Sequence, residues 1–197
     1  MSDWSPMHDP KAYWEPAQVY KIILAADTLQ GKALIRCLWR LGCRVSELLN
    51  IAPSDILWQE KAVIIHRLKK RGGAVIRRTP VDADTLKLLE MYLKRYPQTE
   101  RVFPMSRFQA YRIVRYAAEA AGIKSVGDPL ISKNRRPHPH TLRHTYAVSM
   151  VKGGVPIEMV QKLLGHANLN TTMGYLQFSA KDMEDPYRQA WEKVEQG

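Results

Sequence analysis

Apolar residues recur along most of the chain at the three- and four-residue spacing of an amphipathic helix. After Pro16, which suits the first turn of a helix, Val19, Ile22 and Ile23 fall on one face. Residues 33–41 repeat the pattern and end at a glycine, which is typical of a helix C-terminus. The other segments with helical spacing are 46–49, 83–95, 106–121, 140–152, 157–164, 168–176 and 186–194. A mostly helical protein is therefore expected.

One part of the chain has the shorter period of a β-strand. Residues 62–66 and 74–76 are short β-branched runs separated by a basic stretch and by Gly72-Gly73, which permits a turn. This pattern predicts an antiparallel hairpin, with residues 56–58 as a candidate third strand. Residues 122–139 contain glycine and proline without a period and predict an irregular loop. The predicted fold class is mainly α with a small antiparallel β-sheet (α+β).

The chain is strongly basic. Its 197 residues contain 30 Lys and Arg against 19 Asp and Glu, which gives a formal charge of +11. Such an excess favours a polyanionic partner, nucleic acid before an anionic membrane. Six Lys and Arg fall between Arg67 and Arg78 without an acid, and Lys133, Arg135 and Arg136 form a second cluster. Two acid-free clusters predict a phosphate-binding surface.

Composition also excludes several classes of protein. Cys37 and Cys43 are too few for a disulfide framework and lie in an apolar helical stretch. We therefore expect two buried free thiols in a reducing cytosol. No apolar run approaches the length of a membrane span, and no secretory signal is visible. The expected location is the cytoplasm, with no membrane partner.

Residues 137–146 hold the densest concentration of reactive side chains. On a helix that begins near His140, the side chains of His140, Arg143 and His144 share one face at the helix N-terminus, where backbone N–H groups favour an anion. The histidines also raise the alternative of a zinc site. Its candidate ligands are His138, His140, His144 and His166. We expect no metal, because the sequence has no HExxH or CxxC pattern and Arg143 would repel a cation.

Three further residues stand beside predicted helix ends. Arg44 lies between a glycine turn and a new helix, His166 follows the glycine after residues 157–164, and Tyr175 comes shortly afterwards. Each has an ordinary structural explanation when taken alone. Arg44 could be a surface charge paired with Glu47 at i+3, His166 a capping residue and Tyr175 a half-buried tyrosine. Their combination carries more information than any one of them.

Together these segments resemble the sequence boxes of the tyrosine recombinases, the phage integrase family. Gly42-Cys43-Arg44-Val45-Ser46-Glu47-Leu48-Leu49 resembles the first arginine box of that family. His140-Thr141-Leu142-Arg143-His144-Thr145 resembles its HxLRHT box. Leu163-Leu164-Gly165-His166 and Thr171-Thr172-Met173-Gly174-Tyr175 resemble the segment that ends in the nucleophile. The boxes occur in the family's order, and the resemblance extends over residues 16–180.

The resemblance implies attack of a tyrosine oxygen on a DNA phosphodiester, which gives a 3′-phosphotyrosine and a free 5′-hydroxyl without metal, ATP or another cofactor. A tyrosine with an ordinary pKa of about 10 must be activated by its surroundings. Two guanidinium groups suit the developing charge on the phosphate oxygens. The implied assignments are Tyr175 as nucleophile, Arg44 and Arg143 as phosphate ligands, His140 as proton acceptor, His166 as hydrogen-bond donor and Glu47 as an orienting residue.

The resemblance also implies a lysine on the hairpin that protonates the leaving 5′-oxygen. Counting forward from Asp55 favours Lys69, whereas counting back from Pro80 favours Lys70. Neighbouring residues of a strand point to opposite faces, so only one of the two is expected to reach the site, and we assign Lys69. The residues then expected to contact DNA phosphates are Lys70, Arg71, Lys133, Arg135 and Arg136.

The expected organisation is an irregular lead-in at residues 1–15, a catalytic domain at 16–180 and an acidic tail helix at 181–197. The N-terminal core-binding domain of full recombinases is expected to be absent. The expected function is that of a site-specific recombinase or integrase that binds double-stranded DNA, associates with itself on DNA as a dimer or tetramer, and acts at the nucleoid. The alternatives are a type IB topoisomerase-like enzyme that relaxes DNA, and a catalytically inactive DNA-binding relative.

Overall fold

The computed structural model describes residues 13–68, 74–126 and 136–165. Its helices are α1 (Pro16–Ala25), α2 (Leu29–Leu41), α3 (Val45–Leu48), α4 (Ala83–Arg95), α5 (Arg107–Ala120), α6 (Pro139–Lys152) and α7 (Ile157–Leu164). Its strands are β1 (Ile56–Leu57), β2 (Ala62–Leu68) and β3 (Ala74–Pro80), and a short 3₁₀ turn at Pro53–Asp55 precedes β1. The predicted fold class, mainly α with a small antiparallel sheet, is confirmed.

Helix α2 forms the centre of the core. It packs against α1, α4, α5 and α6, and Leu34, Leu38 and Leu41 are almost completely buried. The helix begins at Leu29, one turn before the predicted start, because the hydroxyl of Thr28 accepts a hydrogen bond from the backbone N–H of Gly31. Gly31 lies in the first turn and is a weak helix former, so the sequence pattern did not indicate a helix start at Leu29.

The sheet is antiparallel in the order β1-β2-β3, so the predicted hairpin and its third strand are confirmed. Strand β3 continues past the apolar run at 74–76, and its register places Arg77 opposite Ile65 and Arg78 opposite Ile64. Ile65 is fully buried, whereas Arg78 is exposed and pairs with Glu60. The alternation of the strand therefore turns Arg77 toward the core and Arg78 toward solvent. These two charges belong to a strand and pair with carboxylates, so they do not form part of a free basic cluster.

The segment before α1 is tied to α6. Trp14 is 1% exposed, and its backbone N–H donates to the hydroxyl of Thr145 over 2.9 Å. Residues 1–12 lie outside the described residues, as do the helices predicted at 168–176 and 186–194. The loop predicted at 122–139 is described only at its two ends, where residues 123–126 and 136–138 form no helix or strand.

Both cysteines are buried free thiols, as predicted. Burial, with a contribution from the negative charge of Glu47, raises the pKa of Cys43 to about 12. Within the described parts of the chain, none of the helices has the length and apolar character that a membrane span requires.

A partly buried ion-pair cluster fastens α4 to α2. Asp82 caps α4 by accepting from the backbone N–H of Thr85, and it also accepts from Arg36 and Arg40 at 3.0 Å each. Burial opposes ionisation of Asp82, but hydrogen bonds from Thr85 and Arg36 outweigh it and lower the pKa from 3.8 to about 2. The carboxylate therefore stabilises the fold in its charged form.

We predict that Asp82→Ala lowers the free energy of unfolding by about 2–4 kcal/mol, because it removes a helix cap and leaves the buried Arg36 short of a partner. Asp84→Ala is the matched control. Its carboxylate contacts the same guanidinium at 3.3 Å but is 82% exposed, so its loss should cost about 0.5 kcal/mol or less. Urea unfolding measures both, and equal effects would contradict this account. The Asp82 contribution is complete above pH 3.8 and is lost as the pH falls through about 2.

Candidate active site

The first part of the site lies at the junction of α2 and α3. Arg44 precedes α3, and its backbone N–H donates to Oε2 of Glu47 over 2.9 Å. The guanidinium of Arg44 donates from Nη1 to Oε1 of the same carboxylate, also over 2.9 Å. The i+3 pair considered from the sequence is therefore present. The carboxylate of Glu47, which is 6% exposed, therefore fixes the orientation of the Arg44 side chain, which is 33% exposed.

Arg143 on α6 joins three separate segments of the chain. Nη1 donates to the backbone carbonyl of Gly42 over 2.8 Å, and Nη2 donates to the carbonyl of Leu164 at the end of α7 over 2.9 Å. Nη1 also lies 4.0 Å from Oε2 of Glu47. Burial and the positive charge of Arg44 lower the pKa of Arg143 to about 10, so it stays charged at neutral pH. The fold thus fixes this guanidinium beside Arg44, and its hydrogen bonds to described residues use two of its five N–H donors.

Gly42 permits the close packing on which the Arg143 contact depends. Its φ of +56° is left-handed, and a Cβ at this position would lie 2.3 Å from the ring of Tyr146 on α6. No side chain fits there unless the ring or the backbone moves. The glycine therefore lets the α2–α3 junction lie directly against α6, within reach of Arg143.

Arg77 is a member of the site that the sequence did not single out. Its Nη2 donates to Oε2 of Glu47 over 2.9 Å, and its side chain is 11% exposed. Burial raises the pKa of Glu47, but hydrogen bonds from Arg77 and from the Arg44 backbone outweigh it and hold that pKa below its ordinary value. The two-residue period of β3 puts Arg77 and Arg78 on opposite faces, but the continuous apolar run at 74–76 does not indicate from the sequence which face is buried.

His140 lies in the first turn of α6, on the wall of an open groove of about 1040 Å³ that runs between α3, α5 and the start of α6. Partial burial and the positive charges of Arg143 and Arg44 lower the pKa of His140. The described residues that line this groove include five arginines and no carboxylate. The arginines are Arg44, Arg107, Arg112, Arg115 and Arg136.

Helix α5 supplies more of the residues that line that groove than any other element, and the sequence did not predict this. Phe108 is 70% exposed and Tyr116 is 45% exposed, and the guanidinium of Arg112 lies 5.9 Å and 5.4 Å from their ring centroids. Such alternation of aromatic and basic side chains on an exposed face is typical of surfaces that bind nucleic acids. This exposed face was not evident from the sequence, because the spacing of apolar residues identifies only the buried face of a helix.

The structure brings Arg44, Glu47, Arg143 and His140 together, and it places Arg136 on the groove. The remaining predicted site residues lie outside the described residues. They are Lys69, Lys70, Arg71, Lys133, Arg135, His166 and Tyr175. The zinc alternative finds no support in the described parts of the chain, where no three His, Cys, Asp or Glu side chains form a metal-binding group.

Comparison with known proteins gives a consistent result. The sequence profile of the phage integrase family matches residues 13–182. Tyrosine recombinase XerA of Pyrococcus horikoshii is 31% identical over 195 residues, which cover 94% of this chain and 63% of the relative. The chain therefore spans less than two thirds of that relative's length.

Solved structures share the fold. A crystal structure of XerA recombinase superposes with a TM-score of 0.73 at 27% identity, covering 96% of this chain and 66% of the other. The XerH site-specific recombinase in a post-cleavage complex with a palindromic difH substrate gives a TM-score of 0.75 at 20% identity, covering 97% and 56%. The arrangement of helices and sheet around the candidate site is common to these recombinases.

We predict that Gly42→Ala damages the site more than an alanine at another left-handed glycine. Gly122 has a φ of +77° with no atom within 4 Å of its missing Cβ. Gly122→Ala should lower the free energy of unfolding by about 1–2 kcal/mol, which is the strain of a left-handed alanine. Gly42→Ala should lower it by about 1–3 kcal/mol more, because the added Cβ collides with the ring of Tyr146. Urea unfolding compares the two variants, and an equal loss of stability would contradict the packing described here.

Proposed function

The chain belongs to the phage integrase family, and we propose that it carries the catalytic domain of a site-specific tyrosine recombinase that cleaves and rejoins double-stranded DNA. One observation carries this proposal. The guanidinium groups of Arg44 and Arg143 lie 2.9 Å and 4.0 Å from the buried carboxylate of Glu47, and Arg44 and His140 line the arginine-rich groove. Two guanidinium groups held in fixed positions suit the non-bridging oxygens of a phosphodiester.

The two arginines serve as a preorganised phosphate clamp. During attack on a phosphodiester, negative charge gathers on the non-bridging oxygens, and donors already fixed around that position stabilise it without reorganising. Arg143 is held by the carbonyls of Gly42 and Leu164, and Arg44 is held by Glu47. Each such group is expected to contribute on the order of 10²–10³ in rate.

The proposed reaction exchanges one phosphoester for another. The Tyr175 oxygen attacks the scissile phosphorus and loses its proton, the bond to the 5′-oxygen breaks, and that oxygen takes a proton from Lys69. The product is a 3′-phosphotyrosine with a free 5′-hydroxyl, and attack by a 5′-hydroxyl on this linkage reverses the reaction. His166 donates a hydrogen bond to the phosphate. No metal or other cofactor takes part in this scheme.

His140 is assigned as the acceptor of the tyrosine proton. Because its pKa lies below the ordinary value of 6.5, its imidazole is neutral at physiological pH and able to accept a proton. The nearby guanidinium groups of Arg44 and Arg143 are the charges that keep it neutral. The same two residues would thus bind the phosphate and prepare the base.

The groove along α5 is the proposed path of the duplex. Its arginines would neutralise backbone phosphates, and Phe108 and Tyr116 offer aromatic surface beside them. Arg136 contributes from the start of α6, and we assign Lys70, Arg71, Lys133 and Arg135 to phosphate contacts as well. XerH, which shares this fold, was solved with its difH substrate.

Recombination also requires more than one copy of the chain. One nucleophile breaks one strand, so exchange of strands between two duplexes needs several protomers. We therefore propose assembly as a dimer or tetramer on DNA, in the cytoplasm at the nucleoid. The domain limits proposed from the sequence, residues 16–180 for the catalytic domain with an acidic tail at 181–197, remain part of this proposal.

The direct test is covalent capture on suicide substrates. We would incubate the chain in EDTA with a pool of nicked duplexes of randomised sequence, in which cleavage releases a short fragment and prevents religation. Denaturing gels should show a protein–DNA adduct, sequencing should reveal the preferred site, and peptide mapping should place the DNA on Tyr175. Tyr175→Phe should form no adduct while retaining DNA binding, since only the attacking oxygen is removed.

Three outcomes would contradict the proposal. DNA binding without any adduct would favour the inactive relative, and an adduct at another residue would assign the nucleophile elsewhere. Relaxation of supercoiled DNA at arbitrary sequences, with no exchange between recovered sites, would favour the topoisomerase-like alternative.

The groove assignment predicts a specific loss of salt dependence. Arg112→Gln should lower the slope of log affinity against log salt concentration by about 1, because one phosphate contact is removed. Arg95→Gln is the matched control, since Arg95 ends α4 beside Tyr96 and is not among the residues that line the groove. Fluorescence anisotropy with a labelled duplex measures both slopes, and an equal change in the two variants would contradict this path for the DNA.

A further inference from the structure

Arg77 reaches the candidate site from the sheet, through the carboxylate of Glu47. The register of β3 sets it opposite the fully buried Ile65, and its side chain is 11% exposed. It is absent from the residues that line the groove, whereas Arg44 is among them. Its contact with the site is the hydrogen bond that it donates to the buried carboxylate of Glu47.

Glu47 is the carboxylate that Arg77 contacts, and its two oxygens are unequally shared. Oε1 accepts from the guanidinium of Arg44, and Oε2 accepts from the Arg44 backbone and from Arg77, each over 2.9 Å. Arg143 stands 4.0 Å from Oε2, beyond hydrogen-bond distance. Arg77 thus occupies the oxygen that Arg143 would otherwise be free to approach.

We propose that Arg77 is a positioning residue for the phosphate clamp. By holding Oε2 of Glu47, it turns the carboxylate toward Arg44 and keeps Arg143 from a direct hydrogen bond with that oxygen. Arg44 already donates to this carboxylate, and if Arg143 did so as well, both guanidinium groups would offer less charge and fewer donors to a phosphate. This inference rests on the proposed function, because the phosphate is the ligand whose binding the arrangement protects.

The burial of Arg77 is better explained by such a role than by stability alone. Among the described residues its Nε is buried without a hydrogen-bond partner. Burying a charged group with a donor left unused is unfavourable, and an apolar side chain in place of a buried ion pair is often neutral or stabilising. A position that needed only packing would therefore favour an aliphatic residue.

The test compares Arg77→Met with Arg78→Met in single-turnover cleavage at saturating DNA, on the site recovered from the suicide-substrate pool. Arg77→Met should cleave about 10- to 100-fold more slowly, because small displacements of catalytic groups have effects of this size. Arg78 is the adjacent residue on the outer face of β3 and pairs with Glu60, so Arg78→Met should cleave at nearly the original rate. Both variants should bind DNA as tightly as the unchanged chain.

A double-mutant cycle shows whether Arg77 acts through Glu47. Glu47→Gln removes the charged oxygen that Arg77 holds, so Arg77→Met should cause little further loss in that background. Arg77→Lys keeps a positive charge beside Glu47 and should recover most of the rate. It also provides the comparison if Arg77→Met does not fold, which thermal unfolding would reveal.

The pH profile separates a positioning role from a purely structural one. Arg77 lowers the pKa of Glu47, so in Arg77→Met this pKa should rise and the acidic limb of the cleavage profile should move to higher pH. In a chain that already carries Glu47→Gln, adding Arg77→Met should leave the acidic limb of the cleavage profile unchanged. The titratable and charged groups around Glu47 are Cys43 and Arg44 at the α2–α3 junction, Arg77 on β3, and His140 and Arg143 on α6.

Three results would overturn the inference. These are an unchanged cleavage rate in Arg77→Met, additive losses in the double-mutant cycle, and a rate for Arg77→Lys no better than that for Arg77→Met. All three are measured only if the unchanged chain forms DNA adducts, so they would refute the role of Arg77 without refuting the proposed function. If the unchanged chain forms no adducts, the proposed function is refuted, and the inference about Arg77 is refuted with it.

Discussion

A single buried carboxylate makes the positively charged centre of this protein possible. Three guanidinium groups surround Glu47, and without it they would repel one another in a region of low dielectric constant. The carboxylate compensates for one of these charges and leaves an excess of two. The centre is therefore stable enough to be built into the fold and still carries an excess of positive charge.

The same contacts that form the site also hold the fold together. Arg143 connects the α2–α3 junction, α6 and the end of α7 through two backbone carbonyls. Gly42 makes the first of these connections possible, because only a residue without a Cβ fits against Tyr146. Leu164, which accepts the second bond, stands two positions before His166 in the chain. Stability and preorganisation of the clamp consequently depend on the same residues.

Much of the fold was predictable because its signals are local. Periodicity placed α4 at its observed limits, and β-branched runs located the hairpin. The start of α2 was predicted one turn late, because its cap at Thr28 precedes a glycine that weakens the helical pattern. The inward position of Arg77 depends on strand register, and two adjacent arginines look alike in a sequence even when their environments are opposite.

The candidate site shows the same division between local and long-range information. The resemblance to the family identified Arg44, Glu47, His140 and Arg143, and the structure brings these four together. The groove along α5 required tertiary structure, because its arginines and aromatic residues become one surface only when α5 lies beside α3 and the start of α6. Residues of the hairpin tip and those beyond Gly165 remain predictions from the sequence.

The most direct measurement is a crystal structure of the chain trapped on a nicked duplex that carries its preferred site. The account predicts that the guanidinium groups of Arg44 and Arg143 both lie within about 3 Å of oxygens on the phosphate joined to Tyr175. The account also predicts that the carboxylate of Glu47 still accepts a hydrogen bond from the guanidinium of Arg44 in that structure. A phosphate bound elsewhere on the surface, or a covalent linkage that only one of the two arginines contacts, would contradict it.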